Sequence, residues 1–199
     1  FPYTTLFRSA AGAQSILNYA LVRENTFVVQ TKAKLNDATP YVSAWGIAGP
    51  AFWTAAGDAA EGVLTSTTIT SDGPQSPDRM ALINEYRKRH NKEMDLPVFV
   101  FGAYDAMNML ALVIARDGTD PSKIRSGLEN IPEFKGLIKH FTRPVFTKDR
   151  HNAITEGEMI MGRWTNGKLL EVKFDDKGPY VELDERTKKY MDKTTFKLK

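Results

Sequence analysis

The stretch PYVSAWGIAGPAFWTAAGDAAEGVLTSTTIT, residues 40–70, decides the fold. It opens with a strand-like run at 40–44. Pro50 then suits the first position of a helix, where its missing N–H costs nothing. That helix carries Phe52, Trp53, Ala55 and Ala56, and Gly57 stops it. The run EGVLTSTTIT, 61–70, is rich in β-branched residues and reads as a strand. Upstream, QSILNYALV (14–22) is a further strand candidate. RENTFVVQTKAKLN (23–36) has Phe27, Val28, Thr31 and Leu35 at helical spacing. Strand, helix, strand, helix, strand in that order favours an α/β fold with a parallel sheet and crossover helices.

Beyond residue 70, SDGPQSP (71–77) is the clearest linker. Ser76 is a good N-cap with Pro77 behind it, and the helix runs to about Asn91 with Met80, Ile83 and Tyr86 on its apolar side. From Tyr104 to Ala115 the chain is apolar nearly all round, which predicts a helix buried on most of its surface. Asp120-Pro121 opens another helix to about Asn130. LIKHFTRPVF and GEMIMGRWTNGKLLEVKF are then strand-like, with Asn166-Gly167 marking a hairpin turn.

Composition excludes several function classes. The 199 residues carry a net charge of only +3, so no nucleic-acid-binding surface is indicated. Much of that excess lies in the basic tail, RTKKYMDKTTFKLK. There is no cysteine, hence no disulfide frame, thiolate nucleophile or cysteine zinc site. No apolar run reaches the ~20 residues that span a bilayer. The start, FPYTTLFRS, is no signal peptide; it resembles a translated adapter, so residues 1–10 are expected to be artefactual or disordered. His90, His140 and His151 lack the spacing of metal ligands. No nucleophile elbow, phosphate loop or paired carboxylates occur, and no catalytic residue, metal or cofactor is expected.

One arrangement points to binding. In open parallel sheets, ligands sit beyond the carboxyl ends of the strands. Two loops of that kind occur, Leu21-Val22-Arg23 and Trp45 to Gly49. The glycines, Gly46 among them, allow close backbone approach. Trp45 supplies either a flat apolar pocket wall with one donor or a core filler; the pattern alone leaves both open.

AWGIAGPAFWTAAGDAAEGVLTSTTIT, YRKRHN, FVFGAYDAMNMLALVIARDGTDPSKIRSGLENI and GLIKHFTRPVFTKDRHNAI together resemble the C-terminal half of a type I periplasmic solute-binding protein. The family is that of the leucine/isoleucine/valine-binding proteins of ABC transporters. The similarity runs from about residue 14 to about residue 174. It implies the type I periplasmic-binding-protein fold: two Rossmann-like α/β lobes with mainly parallel sheets and a ligand cleft between them, here truncated so that most of the first lobe is missing. Residues 11–70 then belong to the second lobe, 71–75 cross the hinge, 76–131 are helices of the first lobe, 132–175 are a strand-rich return, and 176–199 are the basic tail. The lacking lobe predicts exposed apolar faces on the helices at 76–91 and 104–116, and poor solubility or oligomerisation of the 199 residues alone.

The same resemblance implies a non-enzymatic receptor in the periplasm. Its partners are a small-molecule ligand and a membrane permease, with no nucleic acid. A ligand-sensing domain of a receptor or regulator is the alternative. The implied ligand-binding residues are Leu21, Val22, Trp45, Gly46 and Phe101, the last expected just before the Tyr104 helix. Leu21 stands where the family supplies an aromatic, and Trp45 where it supplies an acid for the ligand's ammonium. That departure sets this chain apart from standard branched-chain amino-acid recognition.

Overall fold

The computed structural model describes residues 12–70 and 72–172. The expectations for residues 1–10 and for the tail at 176–199 lie outside the described residues. The elements run β1 (Ile16–Asn18), α1 (Val22–Lys34), β2 (Tyr41–Ser43), α2 (Pro50–Ala56), β3 (Leu64–Thr67), α3 (Pro77–His90), α4 (Pro97–Asp117), α5 (Pro121–Glu129), β4 (Phe134–Lys135), β5 (His140–Phe141), β6 (Ile160–Thr165) and β7 (Lys168–Val172). The main sheet has the order β1-β2-β3-β6-β7. β1, β2 and β3 are parallel, as the alternating order requires, and β6 and β7 add an antiparallel hairpin beside β3. β4 and β5 form a separate two-stranded ribbon.

The core lies where α1, α2 and the sheet meet. Phe52, Ile47, Val29, Trp164 and Leu169 are fully or almost fully buried there. Trp164 on β6 packs against Phe52 at 6.0 Å and stacks on Trp53 at 5.9 Å. Its indole N–H donates to Ile47 O at 3.3 Å, so the one polar atom of the largest core side chain is satisfied. The β6–β7 turn is Asn166-Gly167, with φ of 49° and 80° as a two-residue hairpin turn needs. Ser76 caps α3 by accepting from Arg79 N, and Asp120 caps α5 by accepting from Ser122 N and Lys123 N.

Three sequence expectations need correction. The first strand is shorter than 14–22: the chain leaves β1 at Asn18, and Val22 already begins α1. α1 also buries a different face. Phe27 and Leu35 are exposed, whereas Asn25, Thr26, Val29 and Lys32 are buried. The polar members can go inside because backbone carbonyls receive them. Asn25 donates to Ala20 O and Leu21 O, and Lys32 Nζ to Asp37 O and Thr39 O.

The third correction concerns α4, which begins at Pro97 rather than Tyr104 and is apolar and long enough, at 21 residues, to cross a membrane by those measures. The interruptions at Asp105 and Asn108 concealed that length in the sequence. Nor is it buried on most of its surface: Pro97, Val98, Phe101, Asp105, Met109 and Val113 are buried, whereas Phe99, Tyr104, Met107 and Leu112 are exposed. Asp105, on the covered face, accepts from the N–H groups of Leu137 (2.7 Å) and Ile138 (2.9 Å), while Arg79 donates to both carbonyls of the same two residues. Burial pushes the Asp105 carboxyl above its usual range, against those hydrogen bonds and the Arg79 charge.

Candidate functional site

The carboxyl ends of β1, β2 and β3 open onto a cleft of about 480 Å³. Tyr19 follows β1, Ala44 and Trp45 follow β2, and Ser66 lies in β3. The opposite side is made by His151, Asn152, Ala153, Ile154 and Met159 from the segment leading into β6.

A buried polar network fixes the two loops at the strand ends. Tyr41 O–H donates to Asn25 Oδ1 at 2.5 Å, and Asn18 Nδ2 donates to Tyr41 Oη at 2.7 Å. Ser43 Oγ donates to Asn18 O and Thr65 Oγ1 to Ala44 O. Burial raises the Tyr41 phenol to about 12, opposed by the Asn18 bond, so it stays protonated as a donor. The network holds the backbone at 18–21 and 43–45 still, and Trp45 starts a short 3-10 turn from that fixed point.

Trp45 is 39% exposed and lines the cleft, so it is not a core filler. Phe99 of α4 meets it edge-on, with centroids 5.9 Å apart and planes at 60°, and so restricts its ring. Gly46 is buried beneath. A Cβ there would lie 2.7 Å from Ala20 O and 2.9 Å from Leu21 Cδ2, so glycine lets the two loops touch. Leu21 is exposed at the start of α1 and packs on Gly46 but does not line the cleft. Val22 packs on the core.

Phe101 is 1% exposed and belongs to the core, which corrects its placement before a helix and on the cleft. Successive helical residues are 100° apart, so a helix begun at Pro97 sends Phe99 and Phe101 to opposite faces. Phe99 and Tyr19 are the aromatic neighbours that the sequence reading missed. A helix start placed at Pro97 would have shown the first. Tyr19 was hidden inside an overlong strand.

The segment 143–158 is shaped by charge. Arg150 donates to Val145 O, Pro144 O and Asn152 O, and Arg143 to Ala153 O and Glu158 Oε1. Burial opposes the Glu158 charge. Bonds from Thr155 and Arg143 outweigh it and bring the carboxyl down to about 2. His151 Nε2 lies 3.4 Å from Glu129 Oε1, and His140 Nε2 lies 2.5 Å from Glu133 Oε1, carboxylate pairs that spacing did not reveal. Among the described residues no three His, Asp or Glu side chains gather to hold a metal ion.

The family model described as periplasmic binding protein matches residues 8–168. No curated protein matches the chain. Among solved structures, an extracellular ligand-binding receptor from Rhodopseudomonas palustris HaA2 superposes with a TM-score of 0.71 at 14% identity, over 86% of this chain and 51% of that one. A branched-chain amino acid ABC transporter protein from Thermus thermophilus with bound valine gives 0.68 at 16% identity, over 86% and 48%. A branched-chain amino acid transporter substrate-binding protein from Streptococcus pneumoniae in complex with isoleucine gives 0.64 at 21% identity, over 80% and 45%. The chain thus spans about half the length of the structures it matches. These likenesses show the fold, that of the type I periplasmic binding proteins.

Proposed function

The chain belongs to the periplasmic binding protein family, and from that premise we propose that it is part of the substrate-binding component of an ABC transporter. In this reading the intact protein captures a small metabolite, an amino acid or a related amide or carboxylate, and delivers it to a membrane permease from the periplasm. It is not an enzyme. One lobe comprises residues 11–70 with the return at 132–175. The hinge crossing lies at 71–75, and the helices of 76–131 belong to the other lobe. The pairing of β6 onto β3 supports the return. Asp72 Oδ2, which accepts from Leu169 N at 2.7 Å, supports an anchored crossing.

The observation that carries the proposal is the cleft at the carboxyl ends of three parallel strands, with Trp45 on its wall. Trp45 and Tyr19 contact the ligand, Phe99 orients Trp45, and Gly46, Leu21 and Val22 set the loops behind them. Closure of two lobes on a ligand is the usual action of such a cleft. A thermal-shift screen of amino acids, amides and carboxylates on the intact protein is the test. At least one such compound is expected to raise the melting temperature through preferential binding to the folded state. A flat response to all of them counts against the proposal.

A second reading, a ligand-sensing domain of a receptor or regulator, is favoured by the matching structure described as an extracellular ligand-binding receptor. A DNA-binding or membrane-spanning segment in the same polypeptide would select it.

A further inference from the structure

The chemistry of this wall narrows the ligand class, on the reading that the cleft is the binding site. Nine residues line it: Tyr19, Ala44, Trp45 and Ser66 at the strand ends, and His151 to Ile154 with Met159 opposite. None is Asp or Glu. Glu129, the carboxylate that pairs with the lining residue His151 at 3.4 Å, is also engaged by Arg125 at 3.1 Å. An ammonium taken out of water requires a paired, hydrogen-bonded anion. An indole face attracts a cation but cannot accept the three hydrogen bonds that an ammonium donates.

What the wall offers instead is aromatic surface and neutral polarity. Tyr19 is 85% exposed on the cleft. The Trp45 ring is held by Phe99 and keeps part of its surface open. Offset or edge-on packing against such rings favours planar aromatic partners. The Ser66 hydroxyl and the Asn152 side-chain amide make no hydrogen bond among the described residues, although both line the cleft. Each can donate to a carboxylate or amide oxygen, and each can accept from an amide N–H. Ala153, Ile154 and Met159 complete an apolar floor.

We propose that this cleft takes a small aromatic amide or carboxylate that brings no ammonium group to this wall, with Trp45 and Tyr19 packing on its ring. Trp45 and Tyr19 are then specificity-determining residues that select against zwitterionic aliphatic amino acids.

Matched pairs test this by calorimetry on the intact protein. The probes are phenylalanine against 3-phenylpropanoate and 3-phenylpropanamide, and leucine against 4-methylpentanoate, with isoleucine and valine alongside. Removing the ammonium from the aromatic probe is expected to tighten binding at least tenfold, and one of the two deaminated aromatic compounds is expected to bind tightest of all. Trp45→Leu and Tyr19→Ala should each weaken that compound at least fivefold, whereas Trp45→Phe should retain most of its affinity. Tightest binding by leucine, isoleucine or valine overturns the inference while leaving the transporter reading in place. So does tightest binding by a non-aromatic ligand found in the thermal-shift screen. Absence of any small-molecule ligand in that screen overturns both.

Discussion

Where β1–β3, α2 and the β6–β7 hairpin meet, the largest apolar side chains are fully buried, although Leu17 of β1 and Leu170 of β7 face out; along α4, exposed and buried apolar side chains share one helix. Trp164, Phe52, Ile47 and Leu169 are completely buried, and the Trp164 indole N–H and the Thr65 hydroxyl donate to backbone carbonyls. The second cluster is small, with Met109, Val113, Ile131, Phe141 and Val145 fully buried between α4, α5 and the 131–145 segment. Beside it lies an apolar pocket of about 350 Å³, and Tyr104, Met107 and Leu112 of α4 stand exposed. The difference teaches what holds each region. The sheet region rests on packing. In the helical region Arg79 of α3 and Asp105 of α4 clasp the backbone of residues 137–138, and beside it Arg143 and Glu158 hold the 143–158 segment together.

Substitutions can sharpen or break that contrast. The largest effect is expected for Trp164→Ala, which removes the centre of the sheet core and leaves a cavity beside Phe52 and Trp53. A loss of about 3–5 kcal/mol is expected in chemical denaturation. A loss under 1 kcal/mol would break the claim that packing dominates there. Asp105→Ala comes next. It leaves the Leu137 and Ile138 N–H groups without their acceptor, at about 1–3 kcal/mol. Amide exchange should accelerate at those two residues while the strands β1–β3 keep their protection. Uniform acceleration would mean that the two regions are not separable.

The smallest effect is pH-linked. The folded Glu158 carboxyl sits near 2, below its ordinary 4.5. Its contribution is therefore fully present above about pH 4.5 and is lost as pH falls through about 2. Glu158→Gln should lower the melting temperature by a few degrees at pH 7, and the gap to the native chain should shrink steadily below pH 4.5. A gap that widens on acidification would reverse the sign and remove Glu158 from the clasp.

The sheet region was legible because its signals are local. The βαβαβ order, the Asn166-Gly167 turn and the Ser76 and Asp120 caps each follow from a few adjacent residues. The failures have physical causes. α1 buries Asn25 and Lys32 because distant carbonyls satisfy them, and apolar periodicity cannot register a polar face turned inward. α4 was started seven residues late because Pro97 was passed over as a first-turn residue, which put Phe101 where Phe99 belongs. Tyr19 was absorbed into a strand that ends one residue before it. At the cleft, the pattern placed Trp45 in a loop beyond a strand but could not choose between wall and core. The 39% exposure of Trp45 beside the cleft depends on Tyr19, Ser66 and the 151–159 segment, which lie far from it in sequence.

Trp45→Ala on the intact protein, measured by calorimetry with the tightest ligand of the thermal-shift screen, tests the central claim most directly. Because the side chain is partly exposed and the loop beneath is pinned by Asn25, Tyr41 and Gly46, the ligand-free melting temperature should change little. Affinity should fall at least tenfold. Unchanged affinity in a normally folded variant would contradict the placement of the ligand at the carboxyl ends of β1–β3.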